Sequence, residues 1–431
     1  MKITPLHEWI AQCIGCPAVD FNRTTLERHQ LERLNWVIHY TYEHSRFYRE
    51  RLANTSKTIT SFNDFSAFPF TTADDLRADP NRFVCVSQDD VQRIVTLPTS
   101  GTTGESKRVF FSAADQELTV DFFKVGMSTL AGPGDRVLIL LPGLRPGTVG
   151  DLLKIGLERL GCTATIYGPV DDEEKVLRLI RELDANLLVG APVHLHRLAR
   201  WDEAFQILPK KQIRSVLTST DVLANTIRAN LQSIWGCEVF DHWGMTETGL
   251  GGGVECEAHQ GFHLRAADLY VEIIDPVTGQ VLPEGEHGEV VITTLTRSAM
   301  PLIRYRTGDL SRLITGACAC GSFIPRLERI THRVGAGIHL GSGLLIQSML
   351  DEALFQIREV LDFSASYQKS TLSLAVRIFG DEFESVEKAI QNSLRQFSII
   401  QSEMKIKISL AENPVQGNPV ILHKRAISIN H

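Results

Sequence analysis

The sequence predicts an α/β protein: a large N-terminal domain with a parallel sheet and an attached β-subdomain, followed by a small α+β C-terminal domain. Three textures along the chain carry that prediction. From about residue 90 to 240, short apolar runs alternate with helical stretches, as crossover units of a parallel sheet do. Residues 268–315 read as antiparallel strands divided by turns. Beyond about 337, helical and alternating segments mix.

Taken in order, residues 24–53 read as helix, with Leu26, Leu31, Leu34, Val37 and Ile38 at helical spacing. Thr72 caps a further helix before Ala73-Asp-Asp-Leu. The runs from Val137, Ala164, Leu187 and Ser215 read as strands, and 173–183 and 223–235 as the helices between them. Tyr270-Val-Glu-Ile-Ile and Gly288-Glu-Val-Val-Ile-Thr give the antiparallel pair. Residues 344–359 and 382–397 read as helices, and 371–379 and 405–410 as strands. The glycine-rich stretch 333–343 is the expected linker, so the domains are 1–333 and 338–431.

Composition narrows the classes. A net charge of −7 argues against nucleic acid as the main partner, which calls for a basic face. No apolar run nears the roughly 20 residues that span a bilayer, so no membrane partner is expected. Residues 1–16 lack the apolar core and cleavage site of a signal peptide, and a cytoplasmic location is expected. There the eight Cys serve as thiols or metal ligands rather than a disulfide framework.

Four motifs carry chemistry. The first is Thr99-Ser100-Gly101-Thr102-Thr103-Gly104-Glu-Ser-Lys107. Its glycines allow a tight loop whose N–H groups converge on an anion, the hydroxyls add donors, and Lys107 adds charge. It follows the strand-like run Arg93-Ile-Val-Thr-Leu, and its glycine spacing is not that of a P-loop. The second is Asp241-His242-Trp243-Gly244-Met245-Thr246-Glu247, where an acidic residue beyond a strand end can hold Mg²⁺. In the third, Arg304-Tyr-Arg-Thr-Gly-Asp309, a carboxylate can accept hydrogen bonds from a ribose diol; a salt-bridged turn is the alternative. The fourth is Cys256, His263, Cys318 and Cys320, two pairs suited to tetrahedral, structural Zn²⁺, with His259 as an alternative ligand. Cys13 and Cys16 form another pair without a partner pair, read as plain thiols.

The order of these motifs resembles the adenylate-forming superfamily of acyl-CoA synthetases, and most closely its phenylacetate–coenzyme A ligase branch. Tyr42-Glu-His-Ser-Arg-Phe-Tyr-Arg-Glu-Arg51 and Phe68-Pro-Phe-Thr-Thr add to the likeness. So do Cys256…His263 and Cys318-Ala-Cys320, which resemble the zinc-bearing members. The resemblance implies activation of a small carboxylic acid by ATP to an acyl-adenylate, then transfer to coenzyme A with release of AMP. It implies that loop 99–107 holds the β- and γ-phosphates, that Glu247 binds Mg²⁺ with Thr103 nearby, and that Asp309 holds the ribose. Ser219, Thr220, Asp221 and Asp241–Trp243 would line the adenine and acyl pocket. Arg333 matches the arginine at the start of the family's hinge, and Lys424 the lysine that reaches the α-phosphate during adenylation.

Two positions depart from the family. Val334-Gly335 replaces the acidic residue after the hinge arginine, and His423 replaces the glycine before the lysine. The rival expectations are an adenylating enzyme with another acyl acceptor and a catalytically silent nucleotide-binding regulator. The retention of Lys107, Glu247 and Asp309 weighs against the regulator. A homodimer is the base-rate expectation for a soluble enzyme, and the aryl preference of the branch is the expectation for the acid.

Overall fold

The computed structural model describes residues 1–97, 106–340, 343–397, 404–411 and 425–429. The chain divides into two compact units. One comprises Met1–Thr129, Ile155–Leu160 and His242–Ile330, the other Leu130–Lys154, Gly161–Asp241 and Thr331–His431.

The first unit opens with helices. The expected helix over 24–53 forms as two, Arg23–His44 and Arg46–Arg51. Ser45 divides them: its backbone is extended, its hydroxyl accepts the N–H of Tyr48, and it donates to the carbonyl of Arg82 at 2.9 Å. Thr72 caps Ala73–Ala78 with a reciprocal bond to Asp75, as expected. Val91–Leu97 pairs antiparallel with Lys107–Ser112, so Leu97 and Lys107 face each other at its end. Leu269–Ile274, Gly288–Thr294 and Tyr305–Ser311 form the predicted antiparallel sheet in that order. A core of Leu34, Phe65, Phe83, Val290, Ile292 and Leu302 fills the space against it.

The second unit contains the parallel sheet. Its strands run in the order Thr163–Ile166, Arg136–Leu140, Leu187–Gly190, Ser215–Thr218, and then Glu238–Trp243, whose first four residues belong here. Leu187–Gly190 and Ser215–Thr218 are buried throughout, which is why they read as unbroken apolar runs. Helices Glu173–Glu182, Pro192–Phe205 and Asn225–Trp235 intervene in sequence.

The C-terminal part of the same unit is a four-stranded sheet ordered Lys405–Leu410, Thr371–Ile378, Val360–Gln368, Ser428–Ile429, with helices Gln347–Leu354 and Phe383–Leu394. Its apolar residues share one core with those of the parallel strands. The expected helix over 344–359 is shorter than predicted. Gly343–Leu345 pairs instead antiparallel with Ile338–Leu340, across the boundary between the stretch read as linker and that helix, and Val360 begins a strand. Among the described residues no helix is long and apolar enough to cross a membrane.

Candidate functional site

In the first unit the site forms around Glu247. This residue lies on the short 3₁₀ turn Thr246–Thr248, just beyond the strand that ends at Trp243. The turn depends on its glycines. A Cβ on Gly244 would stand 2.5 Å from the carbonyl oxygen of Leu250, and Gly249 adopts φ +77°. Gly244, Met245 and Thr246 thus shape the turn; the Met245 N–H donates to the Thr248 hydroxyl at 3.1 Å.

The Glu247 carboxylate is buried, 1% exposed. It accepts hydrogen bonds from the ammonium of Lys107 and, at 2.8 Å, from the hydroxyl of Tyr305. Burial pushes its pKa up; the charge and hydrogen bond of Lys107, with Tyr305, outweigh this and hold it below the usual carboxylate value. Lys107 also donates to the Tyr305 hydroxyl at 3.3 Å. Thr99, Ser100, Gly101, Thr102, Thr103 and Gly104 precede Lys107 in sequence and lie outside the described residues, as does Lys424.

Asp309 stands on the strand with Tyr305. Its Oδ2 accepts the indole N–H of Trp243 at 3.1 Å, and its own N–H donates to the Thr307 hydroxyl. The strand is clamped from the N-terminal motifs. Thr71 pairs with Tyr305, and Tyr48 accepts the N–H of Ile303 at 2.8 Å while bonding the Thr71 hydroxyl. Arg304, 1% exposed, meets Glu272 at 3.1 Å and donates to the carbonyl of Phe68. Tyr48, Phe68 and Thr71, from the stretches Tyr42–Arg51 and Phe68–Thr72, therefore support the strand that carries Tyr305 and Asp309. His242 stands beside Phe122 and Phe123, and burial of its ring lowers its pKa to about 4, so it is neutral at pH 7.

In the second unit the predicted residues gather at the carboxyl edge of the parallel strands, the usual ligand edge of such sheets. Ser219, Thr220 and Asp221 follow Ser215–Thr218 directly, with Thr220 at φ +77°. The Ser219 N–H donates to Gly190 at the end of the neighbouring strand. Thr218 donates its hydroxyl to Asp241 at 2.7 Å. Asp221 accepts the Val222 N–H at 2.9 Å and the Arg425 N–H at 3.3 Å. Arg333 is exposed and opens a turn in which its carbonyl accepts the Ala336 N–H, with Gly335 at φ +73°.

The family model described as AMP-binding enzyme matches residues 33–297, which include the Lys107–Glu247 pair. The chain belongs to the AMP-binding enzyme family. It is 31% identical to the phenylacetate–coenzyme A ligase of Pseudomonas putida, over 78% of this chain and 76% of that protein. With the phenylacetate–coenzyme A ligase of Aromatoleum evansii it shares 28% identity over 88% and 89%. The fold matches the crystal structure of 2-hydroxyisobutyryl-CoA ligase in its postadenylation state, with a TM-score of 0.79 at 20% identity, covering 93% of this chain and 89% of that one. This AMP-binding enzyme sits in the phenylacetate–coenzyme A ligase branch of the adenylate-forming superfamily.

The AMP-binding enzyme also brings together a buried Cys/His cluster in its first unit. The donor atoms of Cys256, His263, Cys318 and Cys320 all lie within 4.8 Å of one another. Cys256 follows strand Gly253–Glu255, and His263 projects from the antiparallel strand Phe262–Leu264. Cys318 and Cys320 occupy a knuckle closed by the Gly321 N–H on the Cys318 carbonyl. Cys256 Sγ and Cys318 Sγ are 3.7 Å apart, and Cys320 Sγ is 3.5 Å from His263 Nε2. Tetrahedral Zn²⁺ bonds would set these edges at about 3.8 and 3.6 Å, so the donor set fits a metal ion. Burial pushes the Cys256 thiol to about 12, whereas Cys320, also pushed up by burial, is held below its usual value by the N–H groups of Ser322 and Thr4 and by the other thiols. His259 bonds Glu255 at 3.1 Å and is not in the cluster. Cys13 and Cys16 do not join a metal-binding group among the described residues.

Sequence reasoning missed Tyr305 as the partner of Glu247, although it lies inside the Arg304–Asp309 motif. It also missed Trp243 as the donor to Asp309 and Thr4 and Ser322 as donors around Cys320. All but the Ser322 donor, two residues from Cys320, depend on contacts between distant parts of the chain.

Proposed function

We propose that this chain is an AMP-forming carboxylate–CoA ligase that prefers an aryl acid. In the first half-reaction an oxygen of the acid bonds to the α-phosphorus of ATP, the bond to the β-phosphate oxygen breaks, and pyrophosphate leaves. In the second, the thiol sulfur of coenzyme A bonds to the acyl carbon, the bond to AMP breaks, and the thiol proton passes to solvent. The observation that carries the reading is the cluster in which Lys107, on the strand that follows the hydroxyl- and glycine-rich segment, meets the buried Glu247 and Tyr305. An anion attacking an anion requires charge neutralisation and alignment, and these residues supply both.

The roles follow the geometry. Glu247 is the ligand for Mg²⁺, which supplies charge neutralisation at the phosphates when bound. Lys107, which donates to Glu247 here, would donate to phosphate oxygens once the nucleotide is bound. Thr99–Gly104 would donate to the phosphates, and Thr103 would help to hold the cation. Asp309, oriented by Trp243, accepts from the ribose hydroxyls. Ser219, Thr220, Asp221, Asp241 and His242 serve the adenine and the acyl group. The neutral ring of His242 beside Phe122 and Phe123 supports an aryl acid. Lys424 stabilises the charge that develops at the α-phosphate, Arg333 contacts the nucleotide, and residues 338–431 act as a mobile domain. The Cys/His cluster holds structural Zn²⁺. The enzyme works in the cytoplasm, as a homodimer.

The test is isotope exchange between pyrophosphate and ATP. Exchange that requires an aryl acid and is abolished in Glu247→Gln supports the reading. Acid-independent exchange, or full exchange in Glu247→Gln, rejects it.

A further inference from the structure

The Cys/His cluster is not closed by its own two loops. Three thiolates on Zn²⁺ leave a net negative charge in a buried site, and such a charge is tolerated where hydrogen-bond donors reach the sulfurs. The usual outer partner of a ligating histidine is missing, since Nδ1 of His263 is buried with no hydrogen-bond partner. The support lies on the thiol side. The Ala258 N–H reaches Cys256 Sγ at 3.4 Å, and the Ser322 N–H donates to Cys320. Each of these donors stands two residues beyond the cysteine it serves. Cys320 has a second N–H donor, that of Thr4, from the opposite end of the chain.

Thr4 belongs to an arm that touches both ligand loops. The Lys2 N–H donates to the carboxylate of Glu257, beside Cys256, at 3.0 Å. Nδ1 of His7 bonds the Ser322 hydroxyl, beyond Cys320, at 3.0 Å. The His7 ring stands edge-on to Phe21 and Phe323, with centroids at 5.0 and 5.1 Å. Thr4 itself is 1% exposed and caps the start of helix Pro5–Cys13. That helix has an anchor of its own, the Trp9 indole N–H on Asp121 at 2.6 Å. The contacts of Lys2, Thr4 and His7 therefore serve the cluster rather than the helix.

We propose that the arm Lys2–His7 is a third element of the metal centre: Thr4 donates to the Cys320 sulfur, Lys2 and His7 tie the two ligand loops together, and metal binding and docking of the arm support each other. The inference rests on the reading that the cluster holds Zn²⁺ and is independent of the reaction at Glu247.

The experiment uses the full-length, zinc-loaded chain. Thr4→Pro removes the N–H alone: Thr4 has φ −55° and ψ 134°, which proline adopts, and its buried hydroxyl has no partner to lose. His7→Phe keeps a ring against Phe21 and Phe323 and removes the bond to Ser322. Tyr48→Phe weakens the same unit away from the cluster and controls for general destabilisation. Zinc release to a chromogenic chelator should be about 10-fold faster in Thr4→Pro and His7→Phe and unchanged in Tyr48→Phe. With Co²⁺ as the probe, the sulfur-to-metal charge-transfer band should move to longer wavelength in Thr4→Pro, because a donated hydrogen bond lowers the energy of the sulfur lone pair. Amide exchange in residues 2–7 should rise by a similar factor when zinc is removed, since the coupling is reciprocal. Release at the unaltered rate in both arm variants, equal acceleration in Tyr48→Phe, or an unmoved band in Thr4→Pro overturns the proposal and leaves the zinc reading standing. A chain that carries no zinc and takes up none removes both.

Discussion

Trp243 donates its indole N–H to Asp309 across 3.1 Å, and both side chains are buried. The bond fixes the plane of the carboxylate proposed to hold the ribose. Trp243 is itself seated by Gly252, where a Cβ would stand 2.4 Å from the indole. Replacing Trp243 by Phe keeps an aromatic ring and removes the donor. The KM for ATP should rise about 5- to 10-fold, the worth of one hydrogen bond of about 1–1.5 kcal/mol. Steady-state kinetics with varied ATP checks this; an unchanged KM counts against the orienting role.

The Lys107–Glu247 pair gives a stability prediction with a pH sign. The pKa of Glu247 is lowered in the folded chain, so its contribution is present above the unfolded value and is lost as pH falls through the folded one. Lys107→Met leaves a buried carboxylate without its cation, at a cost of about 3–5 kcal/mol near pH 7. Burial then raises the carboxyl pKa, and the sign inverts: the variant loses stability as pH rises. Urea unfolding at pH 5 and pH 7 should show a smaller deficit at the lower pH. A pH-independent deficit would mean that Glu247 is not what Lys107 stabilises.

The Cys/His cluster separates two histidines. Cys318→Ser and His263→Ala should each lower zinc content by elemental analysis and lower the melting temperature, whereas His259→Ala should keep the metal. Zinc retained in Cys318→Ser, or lost in His259→Ala, would reject the ligand set.

Tyr48 tests the N-terminal clamp. Tyr48→Phe deprives the buried N–H of Ile303 of its acceptor and the Thr71 hydroxyl of one of its two partners, leaving its bond to the Ile303 carbonyl. A loss of about 1–3 kcal/mol in unfolding free energy is expected. Denaturant titration measures it, and a change below a few tenths would show that the clamp carries no weight.

The parts of the fold that were legible in the sequence are those set by local pattern. Leu187–Gly190 and Ser215–Thr218 read as strands because both faces are buried. The Thr72 cap was legible because Asp75 stands three residues on. Ser45 was not, since its break of the helix depends on the carbonyl of Arg82, 37 residues away. Likewise Leu344-Leu345 read as helical, and only their pairing with Ile338 and His339 makes a strand of them. The site divides the same way. Motif order pointed to Lys107, Glu247 and Asp309, and paired spacing pointed to the cysteines. The choice of His263 over His259, and the bonds from Tyr305 and Trp243, depend on which strand faces which, and no single window of sequence holds that.

This chain is proposed to couple ATP cleavage to acid activation and then to a thiol. The coupling is tested most directly by measuring pyrophosphate, AMP and thioester together across aryl, aliphatic and amino acids, each with and without coenzyme A. An aryl acid should give one pyrophosphate and one AMP per thioester, and thioester should form only with coenzyme A. ATP binding without pyrophosphate release for any acid, or AMP release with no thioester when coenzyme A is present, would contradict it.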